Sequence, residues 1–187
     1  MMRIGTLPIG KMDSDILSKI TEDLRMVFTE AEIVIASEVL PVPEEAFSKT
    51  RRQYRSDTIL SAIRGFAEDE GFVRVLGVAD VDLFIPRLNF VFGQAECPGK
   101  VALISLFRLR PEFYRRPSNA QITIDRGTKE AVHEIGHTLG LKHCTNPFCV
   151  MYFSNSIFET DRKKSLFCNE CYLKTQATSA ESGKKLD

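Results

Sequence analysis

One stretch, HEIGHTLGLKHC at residues 133–144, restricts what this chain can fold into more than any other, because it holds all three histidines of the 187 residues. Residues four apart on an α-helix share a face, so His133 and His137 aim two imidazoles at one point only if the segment is helical. Glu134 then lies about 100° further round the axis, flanking that point. The helix would carry His143 away from the other two. Gly140 resolves this, because glycine accepts a positive φ and lets the helix stop and the chain turn sharply. His143 can then swing back towards the other two rings. The pattern predicts a helix over residues 126–141 that ends in a turn.

The rest of the chain supplies a scaffold for that helix. Strands are expected at residues 2–9, 32–40, 72–79, 88–96 and 100–109, with the last two joined by a turn around Cys97, Pro98 and Gly99. A helix capped by Asp13 or Ser14 should run to about Phe28, its inner face carrying Ile16, Leu17, Ile20 and Leu24. A second helix over 57–70, capped by Asp57, would bury Ile59, Leu60, Ile63 and Phe66. Strands alternating with helices predict an α/β (mixed α+β) domain with a mostly parallel twisted sheet. Residues 1–174 read as one domain, in which 1–141 form the sheet and helices and 142–174 a cysteine-rich subregion; 175–187, TQATSAESGKKLD, read as a disordered tail.

Charge and hydropathy narrow the function classes. The 25 basic and 25 acidic residues cancel, so no global field draws the chain to nucleic acid or to an anionic membrane. The apolar start of MMRIGTLPIG is broken by Pro8 and Gly10 too early for a signal peptide. No apolar run approaches the roughly 20 residues of a membrane span. A cytoplasmic, monomeric protein is expected. In a reducing compartment Cys144, Cys149, Cys168 and Cys171 read as metal ligands rather than disulfides, whereas Cys97 stands apart as a loop cysteine. The basic runs RRQYR and FYRR read as solvated loops.

Three neutral imidazoles suit a tetrahedral zinc whose fourth position is open to water, and zinc lowers the pKa of that water to about 7. Glu134 would take the water's proton as general base and pass it to the leaving amine. HExxHxxGxxH is the extended metzincin signature, far more specific than a bare HExxH. Met151, eight residues past His143 in FCVMYFSNS, reads as the methionine of the turn beneath the metal.

Paired cysteines, Cys144 with Cys149 and Cys168 with Cys171, suit a closed structural zinc site. Residues 133–171, which read HEIGHTLGLKHC, then TNPFCVM, then CNEC, strongly resemble the archaemetzincin family; FVFGQA and SLFRL resemble it more weakly. The resemblance implies a zincin-like fold with an antiparallel edge strand, and two zinc ions per chain. His133, His137 and His143 would hold the catalytic ion, and the four cysteines a structural one. It also implies that LNFVFGQAE is the edge strand that pairs with a peptide or small-protein substrate. Phe90, Phe92 and Gly93 would then face substrate, with Tyr152 and Phe153 walling a side-chain pocket. The competing reading is a zinc-binding interaction module with little or no hydrolytic turnover.

Overall fold

The computed structural model describes residues 2–182. Its elements in chain order are β1 (Met2–Ile9), α1 (Ser14–Val27), β2 (Ala31–Ile35), β3 (Phe47–Ser48), β4 (Gln53–Arg55), α2 (Ser56–Asp69), β5 (Arg74–Ala79) and β6 (Leu83–Phe84). They continue with β7 (Gly93–Ala95), β8 (Val101–Ser105), α3 (Ala120–Thr138), α4 (Ile157–Arg162) and α5 (Asn169–Ser182). The main sheet has the order β2-β1-β5-β8-β7, parallel throughout except that β7 runs antiparallel to β8 at the edge. β3, β4 and β6 form a small separate sheet. No described helix is long and apolar enough to cross a membrane.

Central parallel strands are covered on both faces and so read as nearly continuous apolar runs. β8 (VALIS) and most of β1 and β5 are buried accordingly. On one face α1 presents Ile16, Leu17, Ile20 and Leu24 to Ile124, Ala131, Val132 and Ile135 of α3. On the other, α2 places Ile59, Leu60, Ile63 and Ala67 against Leu7, Ile9, Val75 and Leu103. The Asp13 cap is present, with its carboxylate accepting from the Asp15 and Ile16 amides.

Several boundaries differ from expectation, each for a local reason. α2 begins at Ser56 with Arg55 as its cap, so Asp57 sits in the first turn and its carboxylate accepts from Gln94 Nε2 instead. β2 stops at Ile35, opposite Thr6, because the next rung would need an amide hydrogen that Pro8 lacks, and the chain meets β1 again only at the bridge between Leu40 and Ile9. Of residues 88–96 Gly93–Ala95 form the strand of the main sheet; Phe92 adds one bond from the Ser105 amide at the end of β8, and Val91 bridges Leu83 of β6 instead. α3 starts six residues before the expected position, where the Asn119 side chain accepts from the Ile122 amide at 3.1 Å. Arg51 of RRQYR is not merely solvated: its guanidinium lies over Phe84 and donates to the carbonyls of Leu88 and Asn89. Residues 175–182, expected to be unstructured, continue α5, while 183–187 lie outside the described residues.

The end of α3 positions the histidines. Gly140 has a φ of +89°, its amide bonds to the His137 carbonyl, and the Leu141 amide bonds to the Gly136 carbonyl. That pair of bonds is a Schellman termination, which satisfies the last carbonyls and reverses the chain.

Candidate active site and metal-binding groups

His133, His137 and His143 converge as the sequence requires: one ring nitrogen from each lies within 4.8 Å of the others. His133 Nε2 and His137 Nε2 are 3.1 Å apart. Backbone carbonyls orient two of the rings. His133 Nδ1 is 2.8 Å from the Val150 carbonyl and His137 Nδ1 is 2.7 Å from that of Leu141. Donation from Nδ1 to a carbonyl leaves Nε2 with its lone pair directed inward, as a metal ligand needs. His143 is exposed and packs against the Phe153 ring at 4.8 Å.

Burial supports the same chemistry. It pushes the His133 imidazole well below its ordinary pKa, with the Lys163 charge adding to the effect. His137 and His143 are lowered as well, again chiefly by burial. All three rings are therefore held in the neutral form that binds a cation. Glu134, 5% exposed, is raised well above the usual carboxylate range, first by burial and then by the nearby Glu130. It lies against β7, where a Cβ built on Gly93 would stand only 2.7 Å from both Glu134 Cγ and Oε1. Gly93 is glycine because the carboxylate occupies the space a side chain would need.

Met151 is fully buried under this cluster, and its Sδ would lie 2.5 Å from a Cβ at Gly136. The methionine thus packs on the helix between Glu134 and His137, through a gap that only glycine leaves. Its carbonyl accepts from the Cys144 amide at 2.9 Å, tying the residue after His143 to the turn.

The four cysteines also gather: Cys144, Cys149, Cys168 and Cys171 bring their sulfurs within 4.8 Å of one another. Cys144 Sγ and Cys168 Sγ are 3.9 Å apart, nearly twice the about 2.05 Å of a disulfide, and all the cysteines are free. Tetrahedral zinc with bonds of about 2.3 Å to sulfur sets its ligands about 3.8 Å apart, so the quartet fits that ion. The Cys168 thiol is lowered, chiefly by the Cys171 amide, whereas burial pushes the Cys149 and Cys171 thiols up. The imidazole trio, neutral and convergent, fits a zinc with an open position.

A cleft of about 480 Å³ opens over the histidines, lined by His133, Glu134, His137 and His143 together with Phe90, Phe92, Gly93 and Phe153. Tyr152 is not among its lining residues; it is half-buried and its backbone bridges Cys144. Cys97 does reach the cleft, with its thiol 3.4 Å from the Leu141 carbonyl. Sequence reasoning missed Glu130 and Ser154, which also line it. For Glu130 a signal existed, since it precedes Glu134 by one helical turn.

The chain is similar to known proteins along nearly its whole length. The profile of peptidase family M54 matches residues 1–177. A protein named archaemetzincin from Methanocaldococcus jannaschii is 45% identical over 176 residues, covering 94% of both chains. One of the same name from Pyrococcus furiosus is 41% identical and covers 92% of both. The crystal structure of archaemetzincin from Methanopyrus kandleri superposes with a TM-score of 0.83 at 35% identity over 96% of each chain. That from Archaeoglobus fulgidus, complexed with malonate, gives 0.79 at 37% identity, covering 92% of this chain and 99% of that one. Fold, donor groups and relatives together define a zinc metallopeptidase. More narrowly, the chain belongs to peptidase family M54, the archaemetzincin family.

Proposed function

We propose that this metallopeptidase cleaves an extended peptide laid along β7, with Glu134 as general base, His133, His137 and His143 holding the catalytic zinc, and the four cysteines holding a second, structural zinc. The observation that carries the reading is the meeting, in one cleft, of three convergent imidazoles, a buried carboxylate and β7, the edge strand of the sheet among the described residues.

Among the described residues, 93–95 have a strand of the main sheet, β8, on one side only. Their outward amides and carbonyls bind a peptide backbone as an added strand and hold its scissile bond over the histidines. A zinc bound there supplies a Lewis acid that polarises that carbonyl and makes water more acidic. Glu134 accepts the attacking water's proton on a carboxylate oxygen and returns it to the departing amine nitrogen. Burial, with Glu130 nearby, raises the Glu134 pKa, which makes the group a stronger base than an exposed carboxylate. The walls of the cleft, Phe90 and Phe92 among them, exclude bulk water and strengthen these interactions.

In the cysteine subregion, Cys144 follows His143 directly and Cys149 precedes Met151 by two residues. A structural zinc there fastens the loop carrying both and so pre-organises the histidine trio. Residues 1–174 act as one catalytic unit, in keeping with two hydrophobic clusters built on opposite faces of one sheet. Metal analysis tests the account: two zinc ions per chain, one lost selectively in His137→Ala, are expected. A single ion unaffected by that substitution would overturn it.

A further inference from the structure

The cleft extends beyond the histidines. One helical turn before Glu134, Glu130 also lines it although only 3% of its surface is exposed. Glu130 Oε1 accepts a hydrogen bond from Thr160 Oγ1 at 3.0 Å and lies 3.0 Å from Lys163 Nζ. Lys163 is 1% exposed, among the largest fully buried side chains of the described residues, and pairs with Glu130 from behind without itself lining the cleft. Its approach to Glu130 makes an ion pair but not an aligned hydrogen bond, so Nζ has no hydrogen-bonding acceptor among the described residues. Ser154, in the segment between Met151 and α4, lines the same cleft, and its Oγ is likewise buried without a partner.

Stability alone does not account for this group. A buried ion pair is generally no more stabilising than apolar side chains of the same volume, and a buried hydroxyl is nearly always hydrogen-bonded. Polar groups placed in an otherwise aromatic cleft are how a pocket selects what enters it. The charges of Glu130 and Lys163 cancel, which favours a neutral dipole over an ion. A primary carboxamide carries both halves of the match, N–H donors for the Glu130 carboxylate and a carbonyl acceptor for the Ser154 hydroxyl.

We propose, as a deepening of the function above and resting on it, that Glu130 and Ser154, with Lys163 buried behind Glu130 as its counter-charge, form a specificity subsite for an uncharged hydrogen-bonding side chain of the peptide, glutamine or asparagine, in preference to an aliphatic one. A pocket built to hydrogen-bond its ligand rejects the apolar isostere because its own groups are left unpaired.

The experiment titrates zinc-loaded protein calorimetrically with two peptidyl hydroxamates that differ only in one side chain, glutamine-like or leucine-like. Binding is read without turnover. The wild type is expected to favour the glutamine-like compound by at least about tenfold, the value of one good hydrogen bond. The double variant E130L/K163M, which removes the pair with little change of volume, is expected to abolish or invert that preference. Ser154→Ala, at a half-buried loop position, is expected to reduce it several-fold and guards against misfolding of the double variant. Equal binding of both compounds, a leucine preference in the wild type, or a preference that survives Ser154→Ala undiminished would overturn the subsite while leaving the peptidase reading intact. If neither compound binds the zinc-loaded protein, the histidine site itself is misread and the subsite falls with it.

Discussion

Replacing Gly93 by alanine probes the most constrained contact in the cleft. A Cβ at this position would lie 2.7 Å from the Leu103 carbonyl oxygen as well as from Glu134 Cγ and Oε1. Ordinary contacts of this kind are several tenths of an ångström longer. The Leu103 carbonyl belongs to β8, paired on both sides, and cannot retreat, so Gly93 on the edge strand must shift away from it, towards Glu134. Glu134 is a side chain and can retreat, by something near 1 Å. A displacement of about 1 Å in a reacting group costs about 100-fold in rate, or about 2.7 kcal/mol of transition-state stabilisation. No histidine atom is among the three nearest to the new methyl group, so metal binding should persist. The assay is kcat/KM of zinc-loaded Gly93→Ala on a quenched fluorogenic peptide, with zinc content and Tm measured on the same sample. The expected result is a loss of about 100-fold with zinc retained and a modest drop in Tm. Wild-type kcat/KM in a folded variant would refute the claim that this glycine makes room for Glu134 as the proposed base.

Other perturbations follow from the same geometry. Glu134→Gln keeps shape but not basicity, and should lower kcat by about 100- to 10,000-fold while the zinc content stays unchanged; equal cleavage by both proteins would remove Glu134 from the chemistry. Gly136→Ala drives a methyl group into Met151 Sδ. Overpacking of this sort costs about 1–3 kcal/mol, so Tm should fall by about 2–12 °C, measured by calorimetry. Cys168→Ala should release one zinc by metal analysis and reduce activity through loss of order around His143; full activity with that ion gone would separate the two groups of donors.

The candidate site was legible because its logic is local. His133 and His137 declare a helix by their spacing, and Gly140 declares where it stops; the observed Schellman bonds follow from those residues alone. The start of α3 was hidden because Ile122, Thr123 and Ile124 are poor helix formers by themselves; burial of Thr123 and Ile124, the latter in the cluster shared with α1, outweighs that preference, while Ile122 stays exposed. LNFVF looks like strand by its aromatic alternation, yet residues 88–92 leave the sheet, with Phe90 packed edge-on to Phe92 and under the Arg108 guanidinium. Arg126 with Asp161 and Glu130 with Lys163 join α3 to α4 and its far end, across gaps in the chain that no periodicity spans. Pairings of that kind become visible only once the fold exists.

An unpaired strand edge is a standing invitation to self-association, since it offers its amides to any extended chain, including a second copy of itself. In this protein the exposed edge is three residues long and recessed beside a cleft. Flat, rigid sheets cannot dock there, whereas a single flexible segment can enter. Brevity therefore acts as a filter, admitting slender guests while denying fibrils a template.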